Sequence, residues 1–171
     1  MQPWFGFYAV TGGASATLLG LLFVSVSMNL AATLGPAHEG SKRLAEQAFQ
    51  NYLAVLLISL LVFFPQIKLS TFGLVTLCVT AVWTFWVLAR FYLAIAKPID
   101  HEPRFHALRR HFSSVVGFGI LSITALRMAL NQGDDRSWFA SAIIVLLFSA
   151  TMVSWELLVR IARTAQADRP S

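Results

Sequence analysis

Long apolar runs separated by short polar ones dominate the chain from Phe7 to Val159. An α-helix rises about 1.5 Å per residue, so about 20 mostly apolar residues cross a bilayer core. Five runs answer to that description, at about 7–34, 49–67, 72–96, 112–131 and 138–160. Gly35-Pro36 is a helix stop after the first run, and Lys97-Pro98 ends the third. The 48 residues from Phe49 to Ala96 are too many for one crossing and enough for two, with a tight turn at Pro65–Thr71. Asn131-Gln132-Gly133-Asp134-Asp135 is a turn sequence closing the fourth run. The pattern predicts an all-α, polytopic integral membrane protein: one transmembrane domain over residues 1–171, with five transmembrane helices and a polar tail beyond Arg160.

The first run is unlike the others. TGGASATLLGLLFVSVSMNLAATL carries no charge and is rich in small and hydroxyl residues. Gly6, Gly13, Gly20 and Ser27 recur every seven positions, with Ala9, Ala16, Thr17 and Ala31 beside that line. Such a stripe lets another backbone approach closely, which is how helices associate in lipid. The opposite face carries Thr11, Ser15, Leu18, Leu22, Ser25 and Asn29. Two readings follow. In one, both faces pack against neighbouring helices and the hydroxyls bond backbone carbonyls. In the other, the small face packs and the opposite face lines a shared pore with a leucine constriction.

Composition strengthens the membrane assignment. The 171 residues are 57% hydrophobic and 12% charged, about half the charge of an ordinary soluble domain. Net charge is +5, but the basic residues sit in short loops, where topology accounts for them and nucleic acid need not. Ala14-Ser15-Ala16 has the form of a signal-peptidase site, yet no Lys or Arg precedes it, so the first run is expected to be retained. The single cysteine, Cys78, excludes an intramolecular disulfide and gives no thiol metal site.

Charge also orients the chain. Lys42, Arg43, Lys97, Arg104, Arg109, Arg110, Arg160, Arg163 and Arg169 fall on one side of a five-span arrangement. The other side has only Lys68 and Arg136, offset by Asp134 and Asp135. Because Lys and Arg concentrate in the cytoplasm, the N-terminus is expected outside and the C-terminus inside. Trp4, Trp138 and Trp155 lie where an aromatic belt would place them. Pro103 opens a further helical segment, with Phe105, Leu108 and Phe112 on one face and Arg104, Arg109 and Arg110 beside or opposite them. It reads as an interfacial helix feeding the fourth span, its basic face toward anionic headgroups.

Candidate chemistry is sparse. Three ionisable residues fall inside predicted spans: Arg90, Arg127 and Glu156. Each reads as a snorkelling side chain, with a helical Glu156–Arg160 pair, or else Arg90 and Glu156 form a buried pair with Asn29 at the same level. Asp100, His101, Glu102, His106 and His111 cluster in the third loop. HEPRFH lacks the spacing of zinc hydrolases and Pro103 interrupts any helix there, so these read as solvated residues and no metal or other cofactor is expected. Trp83, Phe85 and Trp86 read as packing residues, not a cation pocket. No nucleophile stands beside a base, and enzymatic activity is not expected.

The segments TGGASATLLGLLFVSVSMNL and RLAEQAFQNYLAVLLISLLVFFPQ resemble the start of a group of small bacterial multi-span membrane proteins, some labelled "modulator of FtsH protease". The resemblance covers roughly the first 66 residues. It implies a bacterial inner-membrane location and a membrane-protein partner, and no catalytic residue. The stretch from Gly20 to Asn29 is similar to the pore helix of Orai-type calcium channels, but Met28 or Asn29 stands near the acidic selectivity position, so calcium selectivity is not implied. The sequence thus leads to a non-enzymatic homo-oligomer in contact with membrane lipids, an ion conduit lined by the first helix. The alternative is an accessory subunit of a larger membrane complex such as a membrane protease.

Overall fold

The computed structural model describes residues 2–30, 39–63, 69–96, 104–130 and 136–167. These form five helices: α1 Gln2–Met28, α2 Glu39–Val62, α3 Leu69–Ala96, α4 Arg104–Ala129 and α5 Arg136–Ala167. There is no strand among the described residues. Trp4–Met28, Gly40–Val62 and Ser137–Arg163 are long and apolar enough to cross a membrane. The apolar helical stretches Ser70–Trp86 and Ser114–Ala129 are shorter.

Every helix begins before its apolar run and α5 also ends beyond it, whereas α1 and α2 end at Met28 and Val62, before 34 and 67. α2 begins ten residues before Phe49, inside the segment read as a charged loop. Leu44, Ala45, Ala48 and Tyr52 explain this: at helical spacing they bury one face, while Lys42 and Arg43 stay exposed. Ala, Leu, Glu, Gln, Lys and Arg are also good helix formers. α4 is one continuous helix from Arg104, and α5 runs on to Ala167, past the residue where the tail was expected to begin.

α2 and α5 pack together at the centre, α1 lies on the outer side of α2, and α4 carries α3 on the other side of α5. Two apolar clusters fill the interior. One gathers Val55, Ile58, Phe118, Leu121, Ile143 and Leu146 with the rings of Tyr8, Phe72 and Phe139. Phe72 and Phe139 lie 5.6 Å apart, and Tyr8 and Phe139 6.4 Å, tying α1, α3 and α5 at one end. The other cluster gathers Leu22, Leu44, Ala48, Tyr52, Val153 and Leu157.

Three glycines set the closest helix contacts. A Cβ at Gly73 would lie 2.5 Å from the Ala129 backbone N and 2.8 Å from the Ala125 carbonyl O, so α3 and α4 meet backbone to backbone. A Cβ at Gly117 would meet the Leu146 side chain at 2.7 Å, and one at Gly12 would meet Ser59 Cβ at 2.9 Å. This is the small-residue packing of helices in lipid, at positions off the seven-residue line.

The outside is apolar, and the mainly apolar inside also buries polar side chains. Leu21, Phe23, Phe85, Phe148, Trp138 and Trp155 are exposed, while Thr11, Ser15, Asn51, Thr76, Ser114 and Ser149 are buried. A water-soluble bundle has a polar exterior instead. The arrangement, with three helices of spanning length, identifies a membrane-associated helical protein.

Candidate functional site

α1 places its two faces in opposite surroundings. Thr11, Ser15 and Leu22 are buried, and Leu18, Ser25 and Asn29 are partly buried. Ser15 Oγ donates to the Tyr52 carbonyl oxygen of α2 at 2.6 Å. Thr11 Oγ1 donates to the Phe7 carbonyl oxygen at 3.0 Å and lies 3.4 Å from Ser59 Oγ. Asn29 Nδ2 donates to the Ser25 carbonyl oxygen at 3.0 Å. The hydroxyls thus serve partly their own backbone and partly α2, as small polar residues in membrane helices do.

The seven-residue line looks the other way. A Cβ at Gly6, Gly13 or Gly20 would meet nothing within 4 Å, and Ser27 is exposed. Among the described residues the stripe therefore packs against no helix, although close packing was the reason to expect glycine there. An apolar groove of about 220 Å³ runs between α1 and α2, walled by Leu22, Phe23, Val26, Ala45 and Phe49, with Glu46 and Gln50 on its rim.

A polar node joins the three inner helices. Gln47 and Asn51 stand one turn apart on α2. Gln47 Nε2 and Asn51 Nδ2 donate to Ser114 Oγ of α4 at 3.1 and 3.0 Å. Asn51 Nδ2 also lies 3.4 Å from Ser149 Oγ of α5, and the two serine oxygens are 3.1 Å apart. All four side chains are buried, and the node sits where the two apolar clusters meet. Beside it, Tyr52 OH lies 3.4 Å from both Thr151 Oγ1 and Ser154 Oγ. Among the described residues the node consists of amides and hydroxyls, whose chemistry is hydrogen bonding and solvation.

The node was not singled out from sequence. Its signal is faint: Gln47 and Asn51 are polar at a four-residue interval on the face that carries Leu44, Ala48 and Val55. Ser114 and Ser149 are lone serines that nothing local ties to α2.

Of the candidate charge pairs, Glu156 with Arg160 lies among the described side chains. Glu156 Oε1 accepts a hydrogen bond from Arg160 Nη2 at 3.1 Å, both side chains partly exposed, and Glu156 has a further interaction besides. Arg90 lies on α3, but its side chain is outside the described residues, so its pairing with Glu156 is too. Asp100, His101 and Glu102, and the side chains of His106 and His111, also lie outside them. Among the described residues no three His, Cys, Asp or Glu side chains gather as metal ligands. Cys78 is exposed, Trp83 packs partly against the core and Trp86 faces outward.

Comparison with protein-family models, curated proteins and solved structures finds no match to this chain. The class rests on the helices themselves: an all-helical, membrane-associated protein.

Proposed function

We propose that this chain is a non-enzymatic, five-span inner-membrane protein that acts as an accessory or scaffolding subunit. It docks the open face of α1 against another transmembrane segment, either in a second copy or in a larger membrane complex. One observation carries the reading: the hydroxyl face of α1 is closed against α2 while Gly6, Gly13 and Gly20 have nothing beside them. Glycine inside a helix costs about 0.5–1 kcal/mol relative to Ala, and close approach of a second helix would offset that. The charge distribution supports an outside N-terminus and an inside C-terminus.

An oligomeric ion conduit is the second reading. Its support is that Leu18, Ser25 and Asn29, on the face first assigned to a pore, keep part of their surface open.

One set of variants separates the two. With Cys78 replaced, single cysteines at Ser15, Leu18, Leu22 and Ser25 report water on that face. The accessory reading expects Ser15 and Leu22 to resist a water-soluble thiol reagent, and Gly13→Leu to shift the complex toward the free chain in native mass analysis. Fast labelling at Ser15 together with ion flux would overturn it in favour of the conduit. Reporters fused at Ser171 and in the Gln132–Asp135 turn check topology: a cytoplasmic Ser171 and an external turn are expected.

A further inference from the structure

The groove between α1 and α2 lies toward one end of the bundle. The two helices run antiparallel and approach closely where Gly12 meets Ser59 and Ser15 meets Tyr52. Farther along, between the end of α1 and the start of α2, a space of about 220 Å³ separates them. Leu22, Phe23 and Val26 line one wall, and Ala45 and Phe49 line the other. Phe23 and Phe49 are also exposed, so the groove opens on the apolar outside.

Positive charge stands at its outer end. On α2, Lys42 precedes Glu46 by four residues and Phe49 by seven, so it lies on the groove's own face, about one turn nearer the helix start. Arg43 precedes Gln50, on the rim, by seven. Both basic side chains are exposed. From such positions long basic side chains reach along apolar surface to the water interface. Leu44 shares an apolar cluster with Leu157 and Ile161, which brings Arg160 and Arg163 of α5 to the same end. Arg160 is bonded to Glu156, and Arg43 and Glu46 each have an interaction of their own. Lys42 and Arg43 against the single carboxylate of Glu46 leave the groove's end net positive.

We propose that this groove holds one acyl chain of an anionic phospholipid, whose phosphate lies against Lys42 and Arg43. Three features select this occupant. The walls are hydrocarbon and aromatic, so the part of the guest between the helices is apolar. The space is smaller than the about 300–1,000 Å³ of pockets for drug-sized molecules, and a helix about 10 Å across does not enter it, whereas a single flexible chain does. The basic residues sit where the headgroup of that chain would emerge, as in basic pockets between membrane helices that bind anionic lipids. The site rests on the membrane placement proposed above and not on docking by the α1 glycines.

The test uses the full chain in non-ionic detergent, titrated with phosphatidylglycerol or phosphatidylcholine of identical acyl chains and read by native mass analysis. One phosphatidylglycerol per chain should be retained, roughly fivefold or more tighter than phosphatidylcholine, the worth of one basic residue near an anionic lipid. Lys42→Gln combined with Arg43→Gln, both at exposed positions, should abolish that preference. Val26→Phe, which fills the groove, should weaken retention of both lipids by a similar factor. Retention is read on the single chain, so failure of α1 to dock a partner does not alter it. Equal retention of the two lipids by the unmodified chain overturns the site, and so does a preference that survives the double substitution. Undiminished retention by Val26→Phe places the lipid elsewhere and also overturns it. A photoreactive probe on Phe49→Cys, in a Cys78→Ser chain, should attach to lipid in native membranes. Attachment to a protein chain instead would assign the groove to a partner segment and refute the lipid. The probe keeps the proposal testable where Val26→Phe fails to fold.

Discussion

Ser15 Oγ of α1 donates a 2.6 Å hydrogen bond to the backbone carbonyl oxygen of Tyr52, midway along α2. The serine is fully buried, and the contact joins residues 37 apart in the chain. α1 leans on α2 far more than on any other helix, so this bond and the Gly12–Ser59 approach hold much of its register.

Removing that bond tests its weight. Ser15→Ala is expected to cost about 0.5–1.5 kcal/mol, the range for one buried neutral hydrogen bond. Ser15→Leu should cost more, because the side chain has no space against α2. Denaturant titration in micelles reads both. Equal stability of Ser15→Leu and the unmodified chain would show that α1 does not rest on α2 along this face.

The glycines divide into two groups with opposite expected signs. Gly73→Ala drives a methyl into the α4 backbone and should lower stability by about 1–3 kcal/mol. Gly12→Ala meets Ser59 Cβ and should behave similarly. Gly6→Ala and Gly20→Ala meet nothing within the chain and should be neutral or stabilising by up to about 1 kcal/mol for the isolated chain. Midpoints of the four variants, measured on the dissociated chain, give the order directly; a Gly73→Ala protein as stable as Gly20→Ala would refute it.

Ser114 is the hub of the polar node, and Ser141 is a matched control. Ser141 Oγ is exposed and bonds only its own helix, to the Ser137 carbonyl oxygen at 2.9 Å. Ser114→Ala strands two amide donors and should cost about 1–3 kcal/mol, whereas Ser141→Ala should stay within about 0.5 kcal/mol. Combining Ser114→Ala with Ser149→Ala should cost less than the sum, since the two hydroxyls share partners. Strict additivity would mean that the serines act separately.

Glu156 offers a measurement that salt can interrogate. Its bond to Arg160 spans one helical turn between partly exposed side chains, so the pair should couple by about 0.3–0.5 kcal/mol and weaken as ionic strength rises. A Glu156→Gln, Arg90→Gln cycle tests the buried pair read from sequence. Coupling above about 1 kcal/mol that resists salt would mark it; additive losses would leave Glu156 to its helical neighbour.

The chain's helices were legible because apolar runs of spanning length leave few alternatives, but their ends were not. Lys42, Arg43 and Glu46 read as a loop because charge interrupts the apolar run, yet Leu44 and Ala48 bury one side of the same segment. Charge on one helix face does not stop a helix when the other face has a core to meet. The small residues of α1 were visible as a pattern, but their direction was not. A serine can bond a neighbour or its own carbonyl, and a glycine can mark a contact or an open surface. Of the three glycines at close helix contacts, Gly73 and Gly117 stand in no repeat, and Gly12 lies beside the seven-residue line and not on it.

What the sequence determined by itself is the material: apolar stretches that must be helical in lipid, because each backbone group then satisfies its own neighbour. It also determined that charged groups would be scarce among them. What only the tertiary structure decided is which surfaces meet. Apolar side chains cover the exterior as well as the core, so hydrophobicity does not distinguish inside from outside in this protein. Close backbone approach at Gly73 and the meeting of Asn51, Ser114 and Ser149 depend on three-dimensional fit between helices distant in the chain. That fit turns the hydroxyl face of α1 inward, leaves Gly6, Gly13 and Gly20 open and gathers the polar node between two apolar clusters.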